Sequence, residues 1–191
     1  EQAGFKCGLV GTTGNMIGEK HIPSSKTTPD PIDLMRDLNE MVQAGVQVVV
    51  MEVSAHALDM HRLDGMTFEC GCYTNLSQDH LDYFGTLENV IKSFHKFAEK
   101  ASRTVIYNGN DSNTRKAVEG ITGKEMITFG NTPDCDYYAA QVQHVSGMET
   151  HFIAMHHDKP MGEIVLHVAG IHNVLNAMAA IAAADHAGVP F

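Results

Sequence analysis

The chain has 191 residues, 43% of them hydrophobic, which is typical of one globular domain and not of a disordered protein. Its formal net charge of −10 argues against nucleic acid or an anionic membrane as the main partner. The longest apolar runs, such as residues 46–53, are too short to span a bilayer, and no secretory signal is visible at the start.

The first third of the chain alternates strand and helix patterns. Residues 7–13 form a short apolar run that predicts a buried strand ending in a glycine-asparagine turn. A helix is predicted over residues 30–44, because Asp30 is a favourable N-cap and Pro31 suits the first helical position. Residues 46–53 follow as a nearly continuous apolar run, which predicts a strand covered on both faces.

The alternation continues through the middle of the chain. Strands are predicted over residues 66–76, 103–107 and 125–129, with helices over residues 86–101 and 111–119 between them. Strands and helices that alternate in this way predict an α/β fold, with a mostly parallel sheet flanked by helices.

The last third changes character. Three short alternating runs, residues 139–145, 149–156 and 162–168, are separated by turn-forming residues. This pattern predicts a small antiparallel β meander. A final helix is predicted over residues 173–186, before a glycine and a proline that stop it.

Cysteine usage points to a reducing compartment. The four cysteines show no disulfide-framework spacing, so we expect a cytoplasmic protein. Cys70 and Cys72 are two apart in a predicted strand and therefore share a face. That spacing favours a buried structural pair over a metal or redox site.

One segment resembles the end of a phosphate-binding loop. Residues 11–16 read Gly-Thr-Thr-Gly-Asn-Met, whereas such a loop needs a lysine for the phosphates and a Ser or Thr for magnesium. Asn15 and Met16 occupy those two positions. We therefore interpret the segment as a plain turn after a strand.

Residues 51–62 form the first polar cluster that could carry chemistry. Glu52 follows a predicted parallel strand, and side chains there point into the crevice where such sheets bind ligands. A carboxylate in that place can bind magnesium directly or through water. Taken alone, a glutamate at a strand end is almost as often structural as functional.

Residues 74–85 form the second cluster, again just after a predicted strand. Asp79, His80 and Asp82 crowd a loop, where polar residues are more often functional than in a core. A capped turn of the Asx type at Asp79 explains the same residues equally well. Both interpretations stay open on these residues alone.

Together, the two clusters resemble the central domain of the Mur ligases. The pattern is E-V-S-[SA]-H-A-L-x-x-x-R, followed about a dozen residues later by T-N-L-x-x-D-H-L-D-Y-x-G-T. The similarity is greatest to the branch that adds the third amino acid to the peptidoglycan precursor, the MurE type. Further matching segments are distributed along the chain: residues 8–15, 27–30, 108–111 and 170–180.

The resemblance implies a P-loop-NTPase-like fold and roles for individual residues. Two residues match positions that bind magnesium and serve catalysis: Glu52 and His80. Four match positions that hold the UDP-muramoyl-dipeptide substrate: Thr27, Thr28, Ser54 and Arg62. Two lie in the segment that approaches the adenine of ATP: Asn173 and Asn176.

The implied reaction has two steps and uses ATP as a substrate with Mg2+. The D-glutamate side-chain carboxylate attacks the γ-phosphate to give an acyl phosphate, and the amine of diaminopimelate or lysine then displaces phosphate. Developing negative charge of this kind needs cations and hydrogen-bond donors. The full-length enzyme is expected to act as a cytoplasmic monomer, with no nucleic-acid or membrane partner.

Three parts of such an enzyme have no counterpart in the sequence. They are the G-T-N-G-K-T-T phosphate loop, expected about thirty residues before Thr12, the amino-terminal UDP-binding domain and the carboxy-terminal ligase domain. We therefore expect residues 1–191 to be a truncated central domain that is inactive alone and binds ATP weakly. The third amino acid is not readable from the sequence, since the residues that select it belong to the missing domain.

A further departure lies in the helix after His80. The family usually carries a carbamylated lysine fourteen residues beyond this histidine, and Phe94 stands there. Lys92 and Lys96 are two residues to either side, about 200° around a helix from Phe94. Either a small shift brings Lys96 into place or the protein works without the carbamate, and we favour the second.

Two other functions fit part of the pattern. A non-catalytic module could keep the fold without the chemistry, which Phe94 favours and the intact Glu52, Ser54 and His80 oppose. Other ligases of the superfamily, such as folylpolyglutamate or cyanophycin synthetases, share the general pattern. The Thr27-Thr28 pair with Arg62 argues for the muramoyl substrate instead.

Overall fold

The strands of residues 3–66 form the first sheet. A computed structural model describes residues 3–191, which divide into two units, residues 3–66 and 67–191. In the first unit the sheet order is β3-β2-β1-β4, where β1 and β4 are parallel and β1, β2 and β3 are antiparallel. The strands are β1 (Cys7–Val10), β2 (Asn15–Ile17), β3 (Lys20–Ile22) and β4 (Val48–Met51).

Helix α1 (Pro31–Gln43) packs on this sheet, and Asp30 is its N-cap residue as predicted. Its buried side chains include Met41, which lies so close to β1 that a Cβ atom on Gly8 would be 2.7 Å from the sulfur. A larger residue at this position would require the flexible Met41 side chain to move. A buried hydrogen bond of 2.6 Å from Asn15 Nδ2 to Asp37 Oδ2 joins β2 to the same helix.

Two predictions for the first unit were wrong. The turn expected at Gly14-Asn15 comes earlier, with the Gly14 N–H donating to the Gly11 carbonyl, and Asn15 begins the β2–β3 hairpin. Strand β4 is not covered on both faces, since the side chains of Val49 and Val50 are 40% and 59% exposed. The reason is that β4 stands last in its sheet order among the described residues.

The second unit is built on a six-stranded sheet in the order β10-β9-β8-β7-β6-β5. Strands β5 to β8 pair in parallel, and β8, β9 and β10 form the predicted antiparallel meander. The strands are β5 (Phe68–Tyr73), β6 (Ala101–Asn108), β7 (Glu125–Gly130), β8 (Tyr137–Ser146), β9 (Glu149–His156) and β10 (Lys159–Leu166).

The helices outside α1 differ in length and in how they begin. They are α2 (Ala55–Asp59) in the first unit, and α3 (Leu81–Phe84), α4 (Leu87–Lys100), α5 (Ser112–Ala117) and α6 (Ile171–His186) in the second. Thr86 caps α4 by accepting from the Asn89 N–H, as its position predicted. Neither α2 nor α3 was predicted from the sequence. Within the described residues, no helix is long and apolar enough to cross a membrane.

Helices cover both faces of the second sheet. Successive side chains of a strand point to opposite faces. Cys70 and Cys72 of β5 pack against the apolar cluster that includes Met178 of α6, whereas the Tyr73 ring meets Phe97 of α4 at 5.3 Å between centroids. The predicted α/β class, with a parallel sheet between helices and an antiparallel part near the end, is confirmed.

Candidate functional site

Glu52 lies where the two parallel strands of the first unit end. Val10 of β1 pairs with Met51 of β4, so the residues that follow both strands meet at the same edge of the sheet. The Glu52 N–H donates to the Val10 carbonyl at 2.8 Å. Thr12 donates to Glu52 Oε2 twice, from its hydroxyl at 2.6 Å and from its N–H at 3.2 Å. The turn after β1 therefore holds the carboxylate that follows β4.

Gly11 leaves the room that this arrangement requires. A Cβ atom built on Gly11 would lie 3.0 Å from both Cδ and Oε1 of Glu52, closer than side chains normally pack. Any larger residue would displace the carboxylate. The segment is therefore more than the plain turn that its sequence predicted, although it does not present the lysine of a phosphate loop.

Thr28 is the centre of a second set of contacts. Its buried hydroxyl donates to the Glu52 carbonyl at 2.9 Å and accepts the Ser54 N–H at 3.0 Å. The Ser54 hydroxyl in turn accepts the Ala57 N–H at 3.3 Å and so caps α2. Thr28 thus fixes the backbone on both sides of Val53, between two residues predicted to serve the site.

Arg62 adds a cation to the same region. Its side chain is only 15% exposed, and its guanidinium donates to the Thr28 carbonyl at 3.1 Å and lies 3.4 Å from Asp30 Oδ1. A hydrogen bond from Lys26, with the charges of Lys26 and Arg62, lowers the pKa of Asp30 below its ordinary value. The guanidinium is anchored at two points.

The five residues predicted for the first unit are thus brought together. The Thr27 hydroxyl completes the set, 3.0 Å from the Thr12 hydroxyl. The sequence analysis did not assign Thr12 to the site. A signal for it existed, because Thr12 and Glu52 both follow strands that were expected to be parallel.

In the second unit, segment 74–76 after β5 is held by the turn that follows β6. The Asp111 carboxylate accepts the Leu76 N–H at 2.9 Å and also caps α5, while Asn113 Nδ2 donates to the Leu76 carbonyl at 2.9 Å. Asn108 Nδ2 donates to the Thr74 carbonyl at 3.2 Å. The turn after β6 therefore supports the start of the second cluster.

His80 is exposed and precedes α3 in a left-handed conformation, with φ of 55°. Its N–H donates to Asp79 Oδ1 at 2.8 Å. This bond joins adjacent residues and is not the bond to the N–H two residues on that defines an Asx turn, so the capped turn stays a prediction. Its Nδ1 atom lies 3.6 Å from the same oxygen. Across residues 3–191, no group of three or more His, Cys, Asp or Glu side chains is arranged to hold a metal ion. The magnesium roles of Glu52 and His80 stay predictions.

Asn173 and Asn176 lie on α6 three residues apart and so share a face of it. Asn173 Nδ2 donates to the Ala169 carbonyl at 2.6 Å, and Asn176 is exposed. The core side chains of the helix, Val174 and Met178, belong to the other face. Asn173 is half-buried, and the role of both amides towards adenine stays a prediction.

Phe94 lies within the uninterrupted helix α4. Its carbonyl accepts the Tyr73 hydroxyl at 2.7 Å, and the two rings meet edge to face at 6.2 Å between centroids. Lys92 and Lys96 are exposed. Phe94 therefore keeps the place where the family usually carries the lysine, and a protein that works without the carbamate stays a prediction.

The cysteine pair of β5 is structural in character. Burial raises the pKa of the Cys72 thiol to about 12. Burial, followed by the charges of Glu69 and Glu125, raises the pKa of the Cys70 thiol to about 11. Both stay protonated at neutral pH, which makes them poor nucleophiles and metal ligands.

The chain resembles known proteins in both sequence and structure. The chain is similar to the UDP-N-acetylmuramoyl-L-alanyl-D-glutamate--2,6-diaminopimelate ligase of Caldanaerobacter subterraneus subsp. tengcongensis, with 39% identity over 100% of this chain and 39% of the relative. The ligase of the same name from Clostridium botulinum is 37% identical over 100% of this chain and 38% of its own length. A solved structure of a ligase with that name has a TM-score of 0.82 and 29% identity, covering 96% of this chain and 38% of the other.

The chain thus spans about two fifths of the length of the curated relatives that it matches, which are 39% and 38% covered. The model of the Mur ligase middle domain matches residues 1–184. Since that match takes in nearly every residue, including both clusters, the chain belongs to the Mur ligase middle domain family.

Proposed function

We propose that the full-length protein is an ATP-dependent ligase that joins an amino acid to UDP-N-acetylmuramoyl-L-alanyl-D-glutamate. In this proposal residues 1–191 supply most of its central domain, and the enzyme works as a cytoplasmic monomer. The observation that carries it is the hydrogen-bonded set of Thr27, Thr28, Glu52, Ser54 and Arg62, in a chain whose relatives carry that activity in their names.

Arg62 suits an anionic substrate. Two anchors, the Thr28 carbonyl and Asp30, hold its guanidinium in place, and a guanidinium has five N–H donors in a fixed fork. The N–H groups that these two contacts do not use can donate to both oxygens of a carboxylate. A lysine side chain cannot form such a pair of parallel hydrogen bonds. We propose that Arg62 binds the negatively charged group of the muramoyl-dipeptide. Ser54, Thr27 and Thr28 bind the same substrate beside it.

Glu52 suits a magnesium ion in chemical terms. Its carboxylate accepts from the Thr12 hydroxyl, which in turn contacts the Thr27 hydroxyl. Mg2+ takes oxygen ligands such as carboxylates while it keeps several waters. When bound, the ion would neutralise charge on the transferred phosphate. We propose Glu52 as the carboxylate ligand of this ion. For His80, in the second unit, we propose a magnesium-binding role on the strength of the family resemblance.

The remaining two residues are proposed to serve the same reaction. Asn173 and Asn176 present amides for the adenine of ATP, which is a substrate and not a resident cofactor. The D-glutamate carboxylate attacks the γ-phosphate, and the acyl phosphate then reacts with the incoming amine to form the amide and release phosphate. The chain's own residues bind and orient these groups, and positioning of this kind supplies much of the rate of such a transfer.

Product formation by the full-length protein tests this function. The protein is incubated with UDP-N-acetylmuramoyl-L-alanyl-D-glutamate, ATP, Mg2+ and either diaminopimelate or lysine, and the nucleotide product is followed by mass spectrometry. We expect a tripeptide product that requires all components, no product from folate, and no turnover by residues 1–191 alone. Absence of product with every amino acid offered would favour a non-catalytic module instead.

A further inference from the structure

A chain of three side chains connects the proposed metal and substrate residues of the first unit. The Thr27 hydroxyl lies 3.0 Å from the Thr12 hydroxyl, which lies 2.6 Å from Glu52 Oε2. We infer that Thr12 is a positioning residue that holds the Glu52 carboxylate and makes Thr27 a hydrogen-bond acceptor towards the substrate. The inference rests on the proposed function for the identity of that substrate.

Counting hydrogens fixes the direction of both bonds. A threonine hydroxyl has one hydrogen to donate, and an ionised carboxylate can only accept. The 2.6 Å contact must therefore use the hydrogen of Thr12. Since Thr12 has none left, the 3.0 Å contact must use the hydrogen of Thr27.

This direction decides what Thr27 can offer a ligand. Its hydrogen points to Thr12, so the hydroxyl has only lone pairs for another group. A ligand atom that meets Thr27 must then be a donor, such as an amide N–H, and not a carboxylate or phosphate oxygen. The proposed substrate has both kinds of group, so Thr27 helps to select which end of the peptide lies against it, while Arg62 binds the anion.

Thr12 holds the carboxylate at two points. Its N–H and its hydroxyl converge on the same oxygen, Oε2, from a turn that the β1–β4 pairing fixes next to Glu52. Gly11 leaves open the space beside Oε1 and Cδ. Two convergent donors restrict the carboxylate to one orientation, which a metal ligand requires.

A spectroscopic experiment tests the positioning role without relying on activity. The full-length protein is labelled with 13Cδ-glutamate, and the Glu52 resonance is assigned by its loss in Glu52→Gln. We expect Thr12→Val to move this resonance clearly, Thr12→Ser to leave it close to its original position, and Thr27→Val to move it less than Thr12→Val. The matched control is Thr13→Val, at the neighbouring exposed threonine, which should leave it in place.

Kinetics of the same variants then separate the two threonines. Thr12→Val is expected to lower kcat about tenfold, the low end for losing a hydrogen bond to a charge, and Thr12→Ser should restore it. Thr27→Val should raise the KM for the nucleotide substrate more than it lowers kcat. An inactive wild type would contradict the proposed function alone, since the resonance measurements would still decide the role of Thr12.

Neutron diffraction of the substrate complex in D2O tests the direction of the bonds. We expect the Thr12 deuteron on the line to Glu52 Oε2 and the Thr27 deuteron on the line to Thr12 Oγ1. A Thr27 deuteron directed at the substrate would overturn the acceptor assignment. An unchanged Glu52 resonance in Thr12→Val, or an equal change in Thr12→Ser, would overturn the positioning role.

Discussion

The two units carry their candidate residues in different ways. In the first, hydrogen bonds join residues that are far apart in sequence, such as Thr12 with Glu52 and Thr28 with Ser54. In the second, the contacts described for His80 and Asn173 are to near neighbours in sequence, Asp79 and Ala169. A site built from long-range polar contacts depends on the fold around it, whereas contacts between near neighbours in sequence depend mainly on the local backbone.

Each unit also buries apolar side chains of its own. The second unit buries an apolar cluster that includes Phe152 and Met178. The first unit buries the apolar Leu34 and the polar Thr28, and leaves Val50 largely exposed. Truncating a buried apolar side chain should therefore cost more than losing a buried polar contact, and truncating an exposed side chain should cost least.

The largest effect is expected from Phe152→Ala. The Phe152 ring is 1% exposed, and truncating such a ring typically costs about 3–5 kcal/mol. Val50→Ala is the counterpart in the first unit, and at 59% exposure it should cost no more than about 0.5 kcal/mol. Urea denaturation of the two variants measures both. Equal losses would contradict the expected difference between a buried and an exposed apolar side chain.

A smaller loss is expected from Thr28→Val. The change keeps the shape and removes the hydroxyl that pairs with the Glu52 carbonyl and the Ser54 N–H. Leaving buried partners unpaired costs about 1–3 kcal/mol. Thr13→Val, at an exposed threonine, is the control and should be nearly neutral. If the two variants unfold at the same urea concentration, the polar set contributes nothing to the first unit.

Arg62→Lys should affect binding more than folding. Lysine keeps the charge but loses the fork that reaches the Thr28 carbonyl and Asp30 together. We expect the KM of the full-length protein for the nucleotide substrate to rise about tenfold, equivalent to about 1.4 kcal/mol, while kcat changes less. Arg103→Lys, on an exposed pair with Glu69, serves as the control. A fall in kcat without a change in KM would contradict the binding role.

The smallest predicted effect is a pH dependence of the stability, which arises at His151 in the meander. His151 lies between two carboxylates, with Nε2 at 2.8 Å from Glu149 and Nδ1 at 3.4 Å from Glu163 of β10. The hydrogen bond to Glu149, helped by Glu163, raises the pKa of His151 above its ordinary value. A raised pKa in the folded state adds stability below about pH 6.5, and this stability is lost as the pH rises through the folded value.

Thermal denaturation between pH 5.5 and 8.5 measures this contribution. The Tm of the wild type, relative to that of His151→Gln, should be highest at the acid end and fall towards the alkaline end. Glu163→Gln should reduce the slope without abolishing it, because Glu149 provides the main interaction. A difference in Tm that grows with pH would refute the assignment.

Local patterns predicted most of the fold. Helix α1 followed from Asp30 and Pro31, α4 from its Thr86 cap, and the meander from alternation between turns. These features depend on neighbouring residues, so the sequence displays them directly. The resemblance to a family then brought together residues such as Thr28 and Arg62 that local patterns treat separately.

The features that escaped prediction depend on distant contacts or very short elements. Asn15 has the local signature of a turn, but its amide binds Asp37, which only the packing of α1 on the sheet brings near. Helix α3 has four residues, too few to show periodicity. The place of Thr12 in the site required knowing that β1 and β4 are neighbours, which no local pattern states.

The exposed edge of β4 also has a consequence for handling the chain. Residues 46–51 read Val-Gln-Val-Val-Val-Met, without a charge or a proline, and β4 is the last strand of its sheet among the described residues. A short, uncharged, β-prone segment on an open edge is a template for pairing with other molecules and a nucleus for amyloid-like stacking. A lysine at position 50 would act as a gatekeeper against aggregation, since the Val50 side chain already faces solvent.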